Sequence, residues 1–213
     1  VKLTKSLFVD QTKALASLPD NCRFTNYENY LYACGGLINK QATNFAFCIS
    51  AVKEGISYTV SIKSLPSMID TRDRHSIIFL NDRNLLLACT GFYKNSAEKL
   101  ELDGSNWTSL PALKEVRANS TIGYFNQRFV YMLGGYKLSD GKKDGIYLNS
   151  AEYLDMENTS NGWTFIDFKK LNYKSIKLCA MGIITLADNK ILLCGGFDGS
   201  KNLSTVTQVT IDD

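Results

Sequence analysis

The amino-acid sequence predicts an all-β fold made of about four repeated units, each an antiparallel sheet of four short strands. Three observations lead to this prediction. Four short apolar runs end in glycine, a hairpin pattern surrounds each of them, and the tetrapeptide NSAE occurs at 95–98 and again at 149–152. One shared tetrapeptide means little in a chain rich in Asn and Ser, but here its surroundings recur in the same order.

The glycine-terminated runs are YLYACGG, LLLACTG, FVYMLGG and ILLCGG, and their last residues are Gly36, Gly91, Gly135 and Gly196. These glycines are separated by 55, 44 and 61 residues. Such spacing is in the range of four-stranded propeller blades. A glycine at the end of a buried strand allows neighbouring backbones to approach where no Cβ would fit.

Each run is predicted to be the second strand of a hairpin. The hairpins read RFTNY-EN-YLYACGG, SIIFL-NDRN-LLLACTG, STIGYF-NQR-FVYMLGG and GIITL-ADNK-ILLCGG. Their turns contain Asn, Asp and Gln, which tolerate the left-handed backbone conformations that tight hairpins need. The sequence therefore predicts strand, turn and strand at four equivalent places.

The repeated tetrapeptide begins the predicted third strand of two blades, NSAEKLELD (95–103) and NSAEYLDME (149–157). NLSTVTQVTID (202–212) is a looser equivalent. The fourth strands contain Trp107 and Trp163. A basic residue lies 18 or 19 residues before a closing glycine in three blades, at Arg72, Arg117 and Lys177. We expect the arginines to pair with a third-strand Glu.

In these features the sequence resembles the kelch repeat family, and the resemblance covers almost the whole chain. The matching residues are the glycines Gly35, Gly36, Gly134, Gly135, Gly195 and Gly196, the third-strand Glu98, Glu152 and Tyr153, the aromatic Trp107 and Trp163, and RDRHS at 72–76. Thr90 replaces a glycine beside Gly91, and Ser120 and Ala180 replace His75. The resemblance implies a kelch-type β-propeller in which Trp and Tyr fill the gaps between blades, each burying about 150–250 Å².

The predicted blades span 23–66, 75–111, 118–168 and 178–211, and the last lacks a fourth strand. Residues 1–19 are predicted to form a closing or partial blade, because TKALASLP (12–19) resembles a fourth strand. Two arrangements follow: a four-blade ring closed by this strand, or a run of about four blades from a larger propeller. We favour the second, because kelch propellers usually have five to seven blades and the sequence does not begin with Met.

Composition excludes several classes of protein. The net charge is only +3 and the basic residues are scattered, whereas a nucleic-acid binder concentrates them in a stripe. The sequence contains no apolar run of 18 residues, so no membrane-spanning helix is predicted. The six cysteines form no C-x-x-C pair and there is one histidine, so we expect no metal or other cofactor. Unpaired core cysteines, including Cys34, Cys89 and Cys194, favour a cytoplasmic protein.

From the sequence, we expect that the protein is not an enzyme and has no catalytic residue. His75 lies in the R-x-x-H-S stretch and is expected to be structural, and no nucleophile motif or phosphate-binding loop is present. The alternative is a carbohydrate-active enzyme, an isomerase or hydrolase, with carboxylates at the propeller mouth. An enzyme predicts charged side chains with perturbed pKa values converging on the central pocket. A scaffold predicts a broad polar rim.

The predicted function is therefore protein–protein interaction or scaffolding, within a cytoskeletal or ubiquitin-adaptor type of assembly. The loops from strand four to strand one and from strand two to strand three emerge on one face of a propeller, and they vary most in this sequence. We expect this face to contact another protein, through an acidic segment. The predicted binding residues are Arg72, Arg74, Arg117, Lys142 and Lys143.

Overall fold

The computed structural model describes residues 18–55, 57–138, 145–166, 178–186 and 190–210 of the 213-residue chain. These residues form four antiparallel sheets arranged as a four-blade β-propeller. The all-β fold predicted from the glycine-terminated hairpins is confirmed. Residues 12–17 of the predicted closing strand at 12–19 lie outside the described residues.

The first two blades each contain four strands joined as neighbours in an antiparallel sheet. The strands of the first blade, with a small ribbon β3–β4 in its loop, are β1 (Arg23–Tyr27), β2 (Tyr30–Cys34), β3 (Leu37–Ile38), β4 (Gln41–Ala42), β5 (Ala46–Glu54) and β6 (Ser57–Ser64). Those of the second blade are β7 (Ser76–Leu80), β8 (Leu85–Gly91), β9 (Lys94–Glu101) and β10 (Thr108–Leu110).

The third blade has the same four-stranded order, and the described part of the fourth blade has three strands. The third contains β11 (Thr121–Phe125), β12 (Phe129–Leu133), the loop ribbon β13 (Tyr136–Leu138) and β14 (Gly145–Tyr147), then β15 (Ala151–Asp155) and β16 (Thr164–Phe165). The fourth contains β17 (Gly182–Thr185), β18 (Lys190–Cys194) and β19 (Val206–Thr210).

All four predicted hairpins are present, as β1–β2, β7–β8, β11–β12 and β17–β18. Polar turn residues adopt the left-handed conformation as expected: φ is 48° at Asn84, 50° at Asn126 and 51° at Gln127. The local pattern of alternating residues and turn formers is therefore sufficient to place these strands.

Three apolar clusters lie between consecutive blades and form the core. Trp107 and Trp163 are buried in two of them. The Nε1 of Trp107 donates to the Pro66 carbonyl at 2.8 Å, and that of Trp163 donates to the Pro111 carbonyl at 2.9 Å. Each proline belongs to the preceding blade, so each tryptophan joins two blades. Tyr153 is half-buried at the third cluster.

The closing glycines lie where the backbone of the chain entering a blade passes closest. A Cβ on Gly36 would lie 2.7 Å from the Asp20 carbonyl oxygen, and one on Gly135 would lie 2.9 Å from that of Ala118. Thr90, at the position of Gly35, Gly134 and Gly195, has a φ of 64°. It adopts the left-handed conformation of the glycines although it is β-branched, an uncommon arrangement.

Backbone hydrogen bonds correct two sequence-based equivalences. The amides of Gly36, Gly91 and Gly135 donate to the carbonyls of Arg72, Arg117 and Leu178. Leu178 therefore occupies the arginine position in the fourth blade, and Lys177, which was predicted there, lies outside the described residues. The spacing was off by one because hairpin turns differ in length between blades.

The same offset affects Ala180, which was expected at the position of His75. The amide of Asn119 donates to the Arg74 carbonyl, and the amide of Ala180 donates to the Asn119 carbonyl, both at 2.8 Å. Ala180 is therefore equivalent to Arg74. These three residues all have a φ of 50–54°, so they form one backbone motif at the entry of successive blades.

All six cysteines are free, as predicted, and Cys34 and Cys89 are buried. Burial raises the pKa of the Cys89 thiol to about 12, so this side chain is an inert apolar group. The predicted burial of Cys194 was wrong, because it is only half-buried. In the alternation of side chains along β18, Cys194 lies on the face opposite to the one that packs in the core.

Candidate interaction face

Two buried arginines organise the face that carries the long loops. Arg72 lies in the loop that leads into the second blade, and its Nε donates to Glu98 at 2.9 Å. The rest of its guanidinium donates to the Thr90 carbonyl at 2.6 Å and to both the carbonyl and the hydroxyl of Ser96 at 3.0 Å. Asp70 also accepts from it at 3.2 Å.

Arg117 repeats this arrangement in the third blade. It donates to Glu152 at 3.0 Å, to the Gly134 and Ser150 carbonyls at 2.9 Å and to the Ser150 hydroxyl at 2.8 Å. Glu115 also accepts from it. The NSAE tetrapeptide is thus repeated because its Ser and Glu together bind the arginine of the same blade. We call these two clusters the arginine nodes.

The nodes correct the prediction that Arg72 and Arg117 contact a partner. Their exposed fractions are 1% and 0%, and their guanidinium groups are hydrogen-bonded within the blade. An Arg is stable in such a place only when it is paired and its donors are satisfied. Neither side chain is therefore available at the surface.

The nodes also fix the loops that enter the blades. Glu98 accepts from the amides of Ile69 at 2.6 Å and Asp70 at 3.3 Å. Glu152 accepts in the same way from Lys114 at 2.7 Å and Glu115 at 3.2 Å. Each carboxylate therefore holds a loop from strand four to strand one against the next blade.

Ion pairs at the rim of each node balance charge on this face. Lys94 donates to Asp70 at 2.8 Å, and Lys137 donates to Glu115 at 3.0 Å. Burial alone would raise the pKa of both carboxyls, but hydrogen bonds from serine and lysine and the nearby arginine outweigh it and lower the pKa. These pairs leave less net positive charge on the face than the sequence predicted.

Arg74 is the predicted binding residue that reaches this surface. Its side chain is 36% exposed. Its guanidinium carbon lies 4.7 Å from the Phe92 ring centroid, and its Nη1 donates to the Tyr136 hydroxyl at 2.9 Å. Stacking and a hydrogen bond therefore hold the charged group in place. Lys142 and Lys143 lie outside the described residues.

Arg74 lies beside an aromatic row that the sequence reasoning missed, formed by Phe92, Tyr93, Tyr136, Tyr147 and Phe197. The rings follow one another across three blades, with centroids 4.3 Å apart for Phe92–Tyr93, 6.5 Å for Phe92–Tyr136, 6.1 Å for Tyr136–Tyr147 and 5.4 Å for Tyr147–Phe197. A signal was present, because the residue after the closing glycine is aromatic in blades two, three and four.

The loops of this face carry exposed apolar side chains, one of them from the aromatic row itself. Tyr93 is 68% exposed, and Ile38, Ile69 and Ile146 from neighbouring loops are exposed as well. The turns on the opposite face consist of polar residues at 28–29, 81–84 and 126–128. These described turns are polar, although Tyr30 and Leu186 beside such turns are also exposed.

The inner strands surround a central cavity of about 390 Å³. Its titratable lining side chains among the described residues are Arg23 and His75. Arg23 donates to the Asn119 side-chain oxygen across the cavity mouth. His75 is 1% exposed, and both its ring nitrogens are enclosed without a hydrogen-bond partner in the structure.

Burial, with smaller contributions from the charges of Arg72 and Arg23, lowers the pKa of His75 to about 3. The imidazole is therefore neutral at pH 7. The residue lies in the cavity wall, but both of its ring nitrogens are enclosed. The prediction that His75 is a packed structural residue agrees with this placement.

No protein-family model matches the chain, and no curated protein sequence gives a significant match. Across the part of the chain that the structure describes, no helix has the length and apolar character needed to span a bilayer. In the same residues, no three His, Cys, Asp or Glu side chains are grouped so that they could hold a metal ion.

Proposed function

We propose that the protein is a non-catalytic interaction module of the kelch type that binds a segment of another protein on its loop-bearing face. The observation that carries this proposal is the aromatic row with Arg74 stacked within it. Tyr, Trp and Arg dominate the residues that contribute most to protein–protein binding. A surface that combines one exposed ring, several half-buried rings and a fixed guanidinium has this composition.

The arginine nodes support the proposal because they hold the loops in one conformation before a partner arrives. Glu98 and Glu152 anchor the chain at Ile69–Asp70 and Lys114–Glu115. Binding to a surface whose loops are already ordered avoids much of the entropy cost of ordering them. The residues that recur between blades thus fix the conformation of the loops whose sequences vary.

The chemistry of the face indicates the chemistry of the partner segment. Apolar side chains of the segment would pack on Tyr93 and Ile69, which are both exposed. A carboxylate would accept a charge-assisted hydrogen bond from Arg74, and Lys142 and Lys143 would add positive charge. We propose an acidic segment with apolar residues, in a cytoplasmic assembly of the cytoskeletal or ubiquitin-adaptor type. The six free thiols are consistent with a reducing compartment.

Selection of peptides tests the proposed face without a known partner. Peptides chosen from a random phage-displayed library on the wild-type chain are measured against Arg74→Met and Tyr93→Ala. We expect each substitution to weaken binding at least about tenfold, because truncation of a central anchor typically costs about 2 kcal/mol or more of binding free energy. Tyr30→Ala is the control, since Tyr30 is exposed beside the opposite turn.

Peptides that bind both loop-face variants as well as the wild type but lose affinity for the Tyr30 variant would show that the other face binds. An unchanged unfolding transition in each variant ensures that a loss of affinity reflects the surface and not the fold.

A further inference from the structure

The first strand of each blade begins at an equivalent position, which holds an arginine in the first blade and a small residue in the other three. The register of the hairpins defines this position, because its residue always pairs with the residue two positions before the closing glycine. In blade order the residues are Arg23, Ser76, Thr121 and Gly182. A long charged side chain therefore stands where the repeat otherwise has Ser, Thr or Gly.

In the second and third blades, this position joins one blade to the next. The Ser76 hydroxyl donates to the Ser120 carbonyl at 2.8 Å, and the Thr121 hydroxyl donates to the Met181 carbonyl at 3.0 Å. Arg23 reaches past the second blade instead, and its Nη2 donates to the side-chain oxygen of Asn119 in the third blade. Its guanidinium thus spans the mouth of the central cavity and does not repeat the contact between neighbouring blades.

The charge of Arg23 has little compensation. Arg72 and Arg117 each have two carboxylates within 3.2 Å, whereas no carboxylate of the described residues lies within ion-pair distance of Arg23. Asp73 attracts it from farther away and is itself paired with Arg74 at 3.8 Å. Burial lowers the pKa of Arg23 more than these charges raise it. An arginine stays charged at neutral pH, so this cation lacks a close counter-ion.

Arg23 and Asn119 together retain N–H donors for an added acceptor. Within the described part of the chain, nothing accepts from the Nε or the Nη1 of Arg23, and the Nε is buried. The Asn119 oxygen accepts from Arg23, which leaves the two hydrogens of its amide nitrogen for another partner. A guanidinium and an amide held together in this way offer several donors and one positive charge to an anion.

The cavity behind this pair has the size of a site for a small molecule. Its volume is about 390 Å³, and the first strands of all four blades line it. Ile77, Ile122 and Ile183 are among the lining residues, so part of the wall is apolar. Ligand pockets commonly have about 300–1,000 Å³ and combine apolar walls with a few polar groups. Because Arg23 spans the mouth, the opening favours a small molecule over the backbone of a protein segment.

We propose that the central cavity binds a small free carboxylate, with the carboxylate group on Arg23 and Asn119 and the rest of the molecule against the isoleucines. The planar guanidinium matches the two oxygens of a carboxylate, and such charge-assisted hydrogen bonds are the strong ones. This binding goes beyond the proposed protein interaction, because the cavity lining shares no residue with the aromatic row.

Titration calorimetry of the full chain with acetate, succinate and benzoate tests the proposal, with benzamide as the uncharged match of benzoate. At least one carboxylate is expected to bind with a dissociation constant of about 1 mM or below, and benzamide at least about tenfold more weakly than benzoate. Arg23→Gln should weaken carboxylate binding at least about tenfold. Arg128→Gln is the matched control, since it removes the same charge from a 40% exposed side chain outside the cavity lining.

Asn119→Asp tests the geometry without removing the arginine. It places an internal carboxylate beside Arg23 with almost no change of size, and Asp tolerates the φ of 50° at this position. Added carboxylates should therefore bind at least about tenfold more weakly. The unfolding transition of each variant shows that a loss of binding reflects the site, and Asn119→Asp decides the matter where Arg23→Gln does not fold.

Three results would overturn the proposal: no carboxylate binds the wild-type chain, benzamide binds as tightly as benzoate, or both cavity variants bind as the wild type does. A blocked tripeptide with a central glutamate separates a free molecule from a protein side chain. It is expected to bind more weakly than the best free carboxylate. Tighter binding of the tripeptide would assign the site to the side chain of a protein and contradict the assignment to a free molecule.

Discussion

Arg72 and Arg74 lie two residues apart in the loop that enters the second blade, but their environments are opposite. Arg72 is enclosed, with Glu98 and Ser96 among its hydrogen-bond partners. Arg74 lies at the surface on the Phe92 ring. The first side chain joins a loop to its blade, and the second is presented to the solvent.

The comparison extends to the other blades. Arg117 makes the same kinds of contact in the third blade as Arg72 makes in the second. Asn119 and Ala180 occupy the positions equivalent to Arg74 and have the same backbone conformation. A side chain that recurs with its partners serves the fold. A position whose backbone recurs while its side chain varies is free to serve recognition.

The largest effect is expected from breaking an arginine node. Arg117→Met leaves the Glu152 carboxylate buried without its cation, and loss of one partner of a buried pair costs about 3–5 kcal/mol of unfolding free energy. Arg117→Met combined with Glu152→Gln should recover most of this loss, because the Gln oxygen still accepts from the loop amides. Urea unfolding measures both. A single-variant loss below about 1 kcal/mol would contradict a structural role.

A smaller loss is expected at a closing glycine. Gly135 has a φ of 93°, and an added Cβ would lie 2.9 Å from the Ala118 carbonyl oxygen. Gly135→Ala should therefore lower the unfolding free energy by about 1–3 kcal/mol. In the control, Gly182→Ala, the new Cβ would have its nearest neighbour at 3.6 Å. Equal stability of the two variants would show that close approach does not explain the closing glycines.

The enclosed histidine predicts a pH dependence of stability. Its folded pKa is lowered to about 3, below an unfolded value of about 6.5. The unfolded chain therefore binds more protons between these values, and stability present above about pH 6.5 is lost as the pH falls. From about pH 7.5 to about pH 5.5 the loss should be about 1.4 kcal/mol.

His75→Leu should remove this slope, and the chain has one His, so no other imidazole contributes. Unfolding curves at several pH values measure the effect. A slope of the same size in the variant would assign the dependence to other groups.

The smallest effect is expected where only the backbone matters. Ala180 is exposed and has a φ of 54°, which glycine adopts more readily. Ala180→Gly should raise the unfolding free energy by about 0.5 kcal/mol. Ala112→Gly, at an exposed position outside the left-handed set, should lower it by a similar amount. Destabilisation by both changes would argue against strain at the blade entry.

The sequence predicted the hairpins and both tryptophans because their signals are local: alternation, turn residues and an aromatic at a fixed phase. It also predicted that arginine pairs with a third-strand Glu. It failed to predict that Arg72 and Arg117 are buried, because a charged residue in a loop is usually exposed. The aromatic row was missed because loops of different length bring its members together only in the folded chain.

The unfolding free energies of Arg72→Met and Arg74→Met, measured side by side in urea, test the central distinction most directly. Both changes remove one positive charge from the same loop and leave side chains of the same size. We predict a loss of about 3–5 kcal/mol for Arg72→Met and of less than about 1 kcal/mol for Arg74→Met, whose partly exposed contacts contribute little. Equal losses, or a larger loss for Arg74→Met, would contradict the assignment of Arg72 to the fold and Arg74 to the binding surface.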